Sequence, residues 1–308
     1  MSGIAISTAA MAYVLIIFGS QVRVSDSGMG CPDWPLCDGR LGPSLEFHAL
    51  MEQTHRYLAA VVTLLVVATA LLAWRHRSRS AAIRPALFTV GVIAVQIGLG
   101  ALTVIDSNGA PTVAAHLLAG LTMLAGATVT AVCTLVPLRA TVGRRLRPLG
   151  WAAVATAGVL FVSGSLVVNA DAQRSCASFP LCPPDQLGGL VALNVVHRSI
   201  AVLAGAVLLT FAVHAWRRWS ALAGARALAA MLIALVMATA SLGIVSALLK
   251  APPAWQDLHL AGAAAVLAVS VALAAVGWLV GADAPRNEEP EAGHPLSAQS
   301  AASTRAQQ

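Results

Sequence analysis

Charged residues are scarce in this sequence. Asp, Glu, Lys and Arg make up only 10% of its 308 residues, and the single lysine is Lys250. Soluble domains carry about a quarter charged residues. The shortage of charge, together with a hydrophobic fraction of 58%, excludes an ordinary soluble domain and indicates a membrane protein.

Three other features are missing. Residues 1–22 have neither a charged n-region nor a small-residue cleavage site, so we interpret them as a membrane helix rather than a cleaved signal peptide. The net charge of +6 comes from arginines that lie between apolar runs instead of forming one patch, which argues against nucleic-acid binding. The loops that contain most of the arginines hold no Asp-rich diphosphate motif, which argues against a polyprenyl transferase.

Apolar runs long enough to cross a bilayer, about 20 residues each, occur eight times in the chain. They lie near residues 4–22, 55–74, 85–105, 113–136, 150–169, 194–214, 226–249 and 257–281. Backbone polar groups in lipid must hydrogen-bond within their own segment, so these runs are expected to be α-helices. The predicted fold class is therefore an all-α membrane protein with eight transmembrane helices.

The charge between the runs predicts the orientation of the protein. The loops after the second, fourth and sixth runs contain no acids and hold Arg75, Arg77, Arg79, Arg84, Arg139, Arg144, Arg145, Arg147, Arg217, Arg218 and Arg226. The alternate loops contain few bases and hold Asp26, Asp33, Asp38, Glu46, Asp106, Asp171, Asp185 and Asp257. Positively charged loops stay in the cytoplasm, so we expect a multi-pass protein of the bacterial cell membrane with both termini cytoplasmic.

Four of the five cysteines form two pairs with the same spacing. Cys31 and Cys37, and likewise Cys176 and Cys182, are separated by six positions in loops that we expect to face outward. Disulfides persist in such compartments, so a disulfide within each loop is plausible, although sequence alone does not fix the pairing. A zinc site is the alternative interpretation. Cys133 lies inside an apolar run and is interpreted as a small buried packing residue.

The two halves of the chain resemble each other at an offset of 142 to 145 residues. The cysteine loops match at 145, Thr54-His55-Arg56 matches Val196-His197-Arg198 at 142, and His116 matches His259 at 143. Duplicated units often build the sites of membrane proteins. We predict two pseudo-symmetric four-helix bundles, residues 1–140 and 141–283, followed by a disordered cytoplasmic tail at 284–308, where Pro, Glu, Ser, Ala and Gln dominate.

Four of the eight histidines follow this repeat. His55, His116, His197 and His259 each lie near the outer end of the second or fourth helix of their half, and so at one depth near the extracytoplasmic face. Ionisable residues inside membranes indicate function, and two histidines on facing helices can supply both axial ligands of a haem iron. Copper or zinc would need further ligands nearby.

The other histidines are expected to be solvated: His76 and His214 at cytoplasmic helix ends, His294 in the tail, and His48 in the first outer loop, where it could also cap a ligand pocket. Arg56 and Arg198 each follow a histidine ligand. Either arginine could pair with a haem propionate or extend to the outer interface.

One position distinguishes the halves. Glu52 lies three residues before His55, whereas Asn194 lies three before His197. Residues at i and i+3 share a helix face, so Glu52 is expected to face the His55 cavity, where a carboxylate could transfer protons; an interfacial acid is the alternative. The first outer loop, residues 23–50, could form a lid with Asp33, Trp34 and Asp38.

At these residues the sequence resembles the haem A synthase family, found in bacteria and in mitochondria of organisms with haem A-containing terminal oxidases. The resemblance covers roughly residues 5–281, and the order, spacing and duplication of its motifs make it specific. The motifs are Gly30-Cys-Pro-Asp-Trp-Pro-Leu-Cys37, Glu52-Gln-Thr-His-Arg56, Ala115-His116, Asn194-Val-Val-His-Arg198 and Leu258-His259.

The resemblance implies oxidation of a methyl group of haem O to a formyl group, through a hydroxylated intermediate, with oxygen from molecular oxygen or water. It places a b-type haem between His197 and His259 and the substrate haem between His55 and His116. It also implies that Glu52 is the family's carboxylate, and that both cysteine pairs belong to its pattern. The implied partners are the lipid bilayer, an electron donor that the sequence does not identify, and haem O synthase as a candidate.

Two other functions stay open at this stage. A di-haem b-type electron-transfer protein would hold two haems firmly and convert neither. A haem carrier would hold haem loosely and leave it unaltered. The difference between Glu52 and Asn194 argues mildly against the electron-transfer function.

Overall fold

The protein is described here from a computed structural model that covers residues 1–42, 45–76, 81–136, 147–176, 178–180, 182, 188–219 and 223–280. Its long helices are α1 (Ser2–Val24), α2 (Phe47–Arg75), α3 (Ile83–Ile105), α4 (Ala110–Leu135), α5 (Arg147–Asn169), α6 (Gly189–Arg218), α7 (Ala223–Leu248) and α8 (Pro253–Val280). All eight are long and apolar enough to cross a membrane. The predicted all-helical membrane fold is therefore confirmed.

The helices that carry the histidine ligands begin earlier than predicted. α2 begins at Phe47 rather than near residue 55, and α6 at Gly189 rather than near 194. Hydropathy locates the lipid-crossing part of a helix, whereas α2 continues outward to Glu46, whose side chain caps it by accepting a hydrogen bond from the Ala49 N–H. All four histidines consequently lie about two turns inside their helices, within the first third of each, rather than in the first turn.

The depth of the ligands is the same in the two halves. His55 and His197 each lie eight positions after the first residue of their helix, and His116 and His259 each lie six positions after theirs. At a rise of about 1.5 Å per residue, these offsets place the rings roughly 9–12 Å along the helix from its outer end.

Helix contacts repeat in the two halves. Within the first half, α1 contacts α2, α2 contacts α3, α3 contacts α4, and α4 returns to α1; α5 to α8 make the same four contacts. The halves meet through α4 and α8, which are the most buried helices, with α1 against α8 and α4 against α5. These contacts agree with a division near residue 140, which stays a prediction.

Polar contacts join α1 of the first half to α8 of the second. Tyr13 Oη donates to the Ala261 carbonyl at 3.1 Å, near the middle of the interface. Two more bonds lie nearer the outer end: Ser20 Oγ to Asp257 Oδ1 at 2.5 Å and Arg23 Nη2 to Gln256 Oε1 at 3.4 Å. The interface between the halves is therefore held by hydrogen bonds as well as by apolar packing.

Irregular backbone also recurs at the offset of the sequence repeat. Asp26 and Asp171 have φ of 52° and 55°, in the left-handed region that few L-residues adopt. The connections before α4 and α8 repeat a further pair of such residues, and both cysteine loops contain a cis X–Pro bond, Trp34–Pro35 and Phe179–Pro180. These recurrences support a duplicated unit, while the overall pseudo-symmetry of the two bundles stays a prediction.

The cores of the two halves differ at their centres. Four threonines of the first half line a small cavity, in which the hydroxyls of Thr8 and Thr69 lie 2.8 Å apart: Thr8, Thr69, Thr89 and Thr130. At the matching positions the second half has buried apolar residues: Ala153, Phe211, Leu232 and Leu273. The first bundle thus has polar contacts where the second packs a hydrophobic core.

Some predictions lie outside the described residues. These are the disordered tail at 284–308 and part of the basic loops, namely Arg77, Arg79, Arg139, Arg144 and Arg145. The cytoplasmic location of both termini stays a prediction, and it depends on the positive-inside rule.

Reporter fusions test this orientation. We expect alkaline phosphatase, which is active only outside the cytoplasm, to be active when fused after Gly42 and inactive when fused after Val136 or Gln308. Green fluorescent protein fused at the same three positions should give the opposite pattern. Phosphatase activity in the fusion after Gln308 would show that the orientation is reversed.

Candidate functional site

The four predicted ligands form two pairs in the structure. His55 on α2 and His116 on α4 lie within electrostatic range of each other, and so do His197 on α6 and His259 on α8. All four side chains are half-buried. The structure therefore brings together the ligands that the sequence repeat had paired.

Hydrogen bonds fix which ring nitrogen of His259 carries the proton. Its Nδ1 lies 3.1 Å from the backbone carbonyl oxygen of Thr239. A carbonyl only accepts, so Nδ1 must donate its hydrogen, and Nε2 then presents a lone pair. This is how metal-ligating histidines are usually oriented by groups around a metal site.

The same argument applies to His197 through Ser163. His197 Nδ1 lies 2.9 Å from Ser163 Oγ, and that hydroxyl donates its own hydrogen to the Leu160 carbonyl at 2.8 Å. The serine oxygen must therefore accept from Nδ1 of the histidine. Both histidines of the second half thus have a fixed tautomer, with Nε2 unpaired among the described residues.

The histidines of the first half lack the hydrogen bond at Nδ1 that orients the histidines of the second half. Nδ1 of His55 and Nδ1 of His116 are both buried and have no hydrogen-bond partner in the described parts of the chain. His116 Nε2 lies 3.3 Å from Gln96 Nε2, and the Phe18 ring stacks near His55 with centroids 6.4 Å apart. Because the Gln96 amide nitrogen can only donate, His116 Nε2 accepts and its proton lies on Nδ1. No hydrogen bond among the described residues selects a tautomer for His55.

These residues fit a haem. In the second half, two imidazoles with unpaired Nε2 atoms come from two different helices of one bundle, which is the donor set for the two axial positions of a haem iron. A structural zinc site needs about four protein ligands. Among residues 1–280 that the structure describes, no group of three or more His, Cys, Asp or Glu could hold a metal ion.

The cysteines of each outer loop lie at disulfide distance. The sulfur atoms are 2.02 Å apart in Cys31–Cys37 and 2.13 Å apart in Cys176–Cys182. Because these sulfurs are bonded to each other, the zinc interpretation does not apply. Cys133 is buried within the bundle, as expected.

An arginine on α2 and another on α6 each hold a disulfide loop against the helix that follows it in the chain. Arg56 donates to the carbonyl oxygens of Cys31, Asp33 and Leu36 at 3.4, 2.7 and 2.5 Å. Arg198 repeats this pattern on the second loop, donating to the carbonyl oxygens of Cys176, Ser178 and Pro180 at 3.0, 2.6 and 3.3 Å. Both guanidinium groups are therefore largely occupied by protein carbonyls, which neither of the sequence interpretations anticipated.

Glu52 belongs to the same network in the first half. Its side chain is only 7% exposed, which excludes the solvated interfacial acid. One carboxylate oxygen accepts from the Cys31 N–H at 2.9 Å, and the other accepts from Arg56 Nη2 at 2.5 Å. Asn194 occupies the matching place and donates to the Ala172 carbonyl at 2.9 Å. A buried ion pair therefore lies one turn from His55, and a neutral amide lies one turn from His197.

Asp33 organises the first outer loop, where we predicted a lid. Its carboxylate accepts from the backbone N–H groups of Gly39 and Asp38 at 2.9 and 2.7 Å. These bonds, chiefly the one from Gly39, together with nearby Arg56, lower the pKa of Asp33. As the pH falls through this lowered pKa, protonation removes the acceptor and the turn loosens. Trp34 is exposed beside it, and the lid itself stays a prediction.

Sequence reasoning missed the residues that surround the imidazoles. Phe18 and Ser163 occupy matching positions at an offset of 145, and Gln96 and Thr239 match at 143. Extending the repeat alignment from the histidines to the neighbouring helices would have identified these four positions. It would not have revealed their contacts, because those depend on how the helices pack.

Substitution of Arg198 tests the role of the arginines. In Arg198→Gln we expect the Cys176–Cys182 disulfide to be reduced roughly tenfold faster in the folded protein, because hydrogen bonds from a charged donor stabilise by about 1.5–3 kcal/mol. Mass-tagging of new thiols after timed exposure to dithiothreitol measures this rate. Arg218→Gln, at the opposite end of α6, is the matched control and should match the unmodified protein. An unchanged rate in Arg198→Gln would exclude the proposed support of the loop.

The chain is similar in sequence to several known proteins. A Bacillus licheniformis protein named Heme A synthase is 28% identical over 230 residues, which cover 70% of this chain and 74% of that protein. A Shewanella oneidensis protein of the same name is 24% identical over 88% of this chain and 94% of that protein. A Natronomonas pharaonis protein named Protoheme IX farnesyltransferase 1 is 36% identical, but over only 34% of this chain and 22% of that protein.

The match to a protein family covers nearly all of the described helices. The model of the COX15-CtaA family, described as cytochrome oxidase assembly protein, matches residues 2–53 and 44–271. These residues include both cysteine loops, both arginines and all four histidine ligands. The chain therefore belongs to the COX15-CtaA family of cytochrome oxidase assembly proteins.

Proposed function

We propose that this protein is a haem A synthase, an oxidoreductase that converts a methyl group of haem O to a formyl group through a hydroxylated intermediate. Its relatives named Heme A synthase and its family support a role in haem A biosynthesis. The observation that carries the division of labour between the halves is the contrast in their histidines. Both are oriented by hydrogen bonds in the second half, and neither Nδ1 is hydrogen-bonded in the first.

The second half is suited to a permanent cofactor, which we assign as haem b. His197 and His259 already have the tautomer that ligation by Nε2 requires, so little reorganisation accompanies binding. Their Nδ1 donors are paired with groups on the preceding helices α5 and α7. A preorganised pair of ligands favours tight and lasting binding of the iron.

The first half is suited to a haem that must enter and leave. Nδ1 of His55 has no partner among the described residues and Nε2 of His116 is occupied by Gln96, so haem binding must set the tautomer of one ring and break the hydrogen bond of the other. This reorganisation weakens binding and eases release of product. Both sites lie close to the disulfide loops, so we place the haems near the extracytoplasmic face of the cell membrane. We assign this site to haem O.

Glu52 is our candidate for proton transfer at the substrate site. It is buried one helical turn before Arg56, and its oxygens are held by Arg56 and the Cys31 N–H. When bound, the haem irons supply the redox chemistry of the oxidation. The protein positions the substrate, and the Glu52 carboxylate accepts or returns protons at its edge. Molecular oxygen and water both remain candidate oxygen sources.

The function requires partners for electrons and substrate. We propose an electron donor at the membrane, which nothing in this chain identifies. The relative named Protoheme IX farnesyltransferase 1 suggests a link to an enzyme that attaches a farnesyl group to haem. Haem O synthase is therefore our candidate for the partner that delivers the substrate.

Haem analysis of membranes tests the proposed function directly. In bacterial membranes that make haem O, we expect expression of this protein to produce haem A or its hydroxylated precursor, detected by chromatography of extracted haems. Haem O left unchanged beside stoichiometric haem b, with a competent electron donor supplied, would instead indicate a di-haem electron-transfer protein. Loosely held, unaltered haem would indicate a carrier.

Substitution of Glu52 tests its chemical role. Glu52→Gln keeps a side-chain acceptor for the Cys31 N–H but cannot transfer protons, so we expect haem A formation to fall by roughly 10²–10⁴-fold, the usual contribution of general acid–base catalysis. The resident haem b should keep its normal content and spectrum. Full activity in Glu52→Gln would exclude proton transfer by Glu52 and leave it only a structural role at the Cys31–Cys37 loop.

Substitution of Ser163 tests the preorganised ligand. In Ser163→Ala, His197 loses its acceptor, and we expect the affinity for the resident haem to fall by about 10–100-fold, as for other residues that orient metal ligands. Haem loss to an apo-myoglobin trap measures this change. Ser165→Ala is the matched control, because Ser165 accepts a hydrogen bond from Asn169 rather than contacting a ligand. Equal haem loss in the two variants would contradict the assignment.

A further inference from the structure

We propose that four glycines, Gly19, Gly100, Gly164 and Gly243, are positioning residues that set the orientation of the four ligand imidazoles. This inference rests on the proposed haem-binding function. Each glycine lies on the helix that precedes the helix of its histidine: α1, α3, α5 and α7.

The histidine rings lie directly against these glycines. A Cβ atom built on Gly19 would lie 2.9 Å from Cε1 of His55, and one on Gly100 would lie 3.2 Å from Cε1 of His116. In the second half, a Cβ on Gly164 would lie 3.2 Å from Cε1 of His197. A Cβ on Gly243 would lie 2.8 Å from Cε1 and 3.1 Å from Nδ1 of His259.

All four contacts involve the same ring atom. Cε1 lies between the two ring nitrogens, so a glycine against Cε1 limits rotation and tilt of the ring without forming a hydrogen bond to Nε2. The contacts also recur at the offsets of the sequence repeat, 145 for Gly19 and Gly164 and 143 for Gly100 and Gly243. One arrangement of glycine and imidazole is therefore used four times.

Each glycine is accompanied by a neighbouring residue that lies near the ring. Ser163, beside Gly164, accepts from His197, and Thr239, one turn before Gly243, accepts from His259. Phe18 is beside Gly19, and Gln96 lies one turn before Gly100. The glycine sets how closely the ring approaches the helix. Ser163 and Thr239 also bind Nδ1 of their histidine, whereas Phe18 and Gln96 do not.

Helix propensity does not account for these glycines. Glycine in a helix interior costs about 1 kcal/mol relative to alanine, so its use at four matched positions calls for a steric reason. Other glycines of the same helices have no such contact: a Cβ on Gly98 of α3 or on Gly158 of α5 would meet nothing within 4 Å. These two positions are matched controls.

The distances predict an order of effects. At Gly243 an added methyl group would come closer than real Cβ contacts do, so the His259 ring must move and strain its bond to the Thr239 carbonyl. At Gly164 the ring needs to give by only a few tenths of an ångström. The effect on the resident haem should therefore be larger for Gly243→Ala than for Gly164→Ala, and absent for Gly158→Ala.

The experiment uses the purified, haem-loaded full chain. Three properties are measured in each variant: haem content, the electron paramagnetic resonance signal of the low-spin ferric haem, and the rate of haem transfer to apo-myoglobin. We expect haem transfer on the order of 10–100-fold faster in Gly243→Ala, with shifted resonance positions, a smaller change in Gly164→Ala, and none in Gly158→Ala. A role in helix packing alone would lower the melting temperature without moving the resonance signal.

Separate outcomes distinguish this inference from the proposed function. A normal haem signal and transfer rate in both Gly243→Ala and Gly164→Ala would overturn the glycine proposal and leave the haem sites intact. If Gly243→Ala fails to fold, the milder variant Gly164→Ala still tests the proposal, because its haem signal and transfer rate can be compared with those of the control Gly158→Ala. Unmodified protein that purifies in native membranes without any haem would overturn the proposed function and the glycine proposal together.

The first half offers an independent comparison. There the substrate site is probed by titrating haem b, as the test ligand, into Gly19→Ala, Gly100→Ala and the control Gly98→Ala, while the resident haem is monitored separately. We expect weaker binding at the first site in the order Gly19→Ala, then Gly100→Ala, with Gly98→Ala unchanged. Equal affinities in all three variants would overturn the proposal for this half.

Discussion

The hydrocarbon interior of the bilayer is the constraint on which the rest of this structure depends. Backbone groups there must be satisfied within their own helix, so unusual backbone is confined to the ends of the spans. The left-handed residues and cis prolines all lie in the connections outside the helices, several of them in the outer cysteine loops. The four histidines that we propose as ligands lie six or eight positions further in, where side chains rather than backbone must provide the chemistry.

Loops packed against such helices carry carbonyl groups that need donors away from bulk water. Arg56 and Arg198 meet this need, each with three carbonyls of a disulfide loop. The guanidinium group suits the task because it offers five donors in a rigid plane and stays charged. In the first half Glu52 balances that charge, whereas the second half has Asn194 instead. An arginine thus holds the disulfide loop in both halves, but it is paired with a carboxylate only in the first half.

Duplication supplies a common scaffold, and a few substitutions give its halves different properties. The paired positions Phe18 and Ser163 decide whether the first ligand of each half has an acceptor for Nδ1. A hydrogen bond to Nδ1 makes Nε2 a fixed lone pair, while its absence leaves the ring to be ordered by what it binds. The first half has four buried threonines where the second half has apolar residues at the matching positions, and this difference lies away from the histidines.

The sequence by itself determined the eight helices, the pairing of the four histidines and the position of both cysteine pairs, because hydropathy and a repeat are local or periodic signals. It misplaced the starts of α2 and α6. Glu46 caps α2 and extends it beyond its apolar part, whereas α6 begins after Gly188 without a side-chain cap. Only the tertiary structure decided the tautomers of His197 and His259, the partners of Glu52 and the glycines beneath the rings. Those features depend on which atoms of neighbouring helices come within hydrogen-bonding or van der Waals distance, and residue order does not encode such distances.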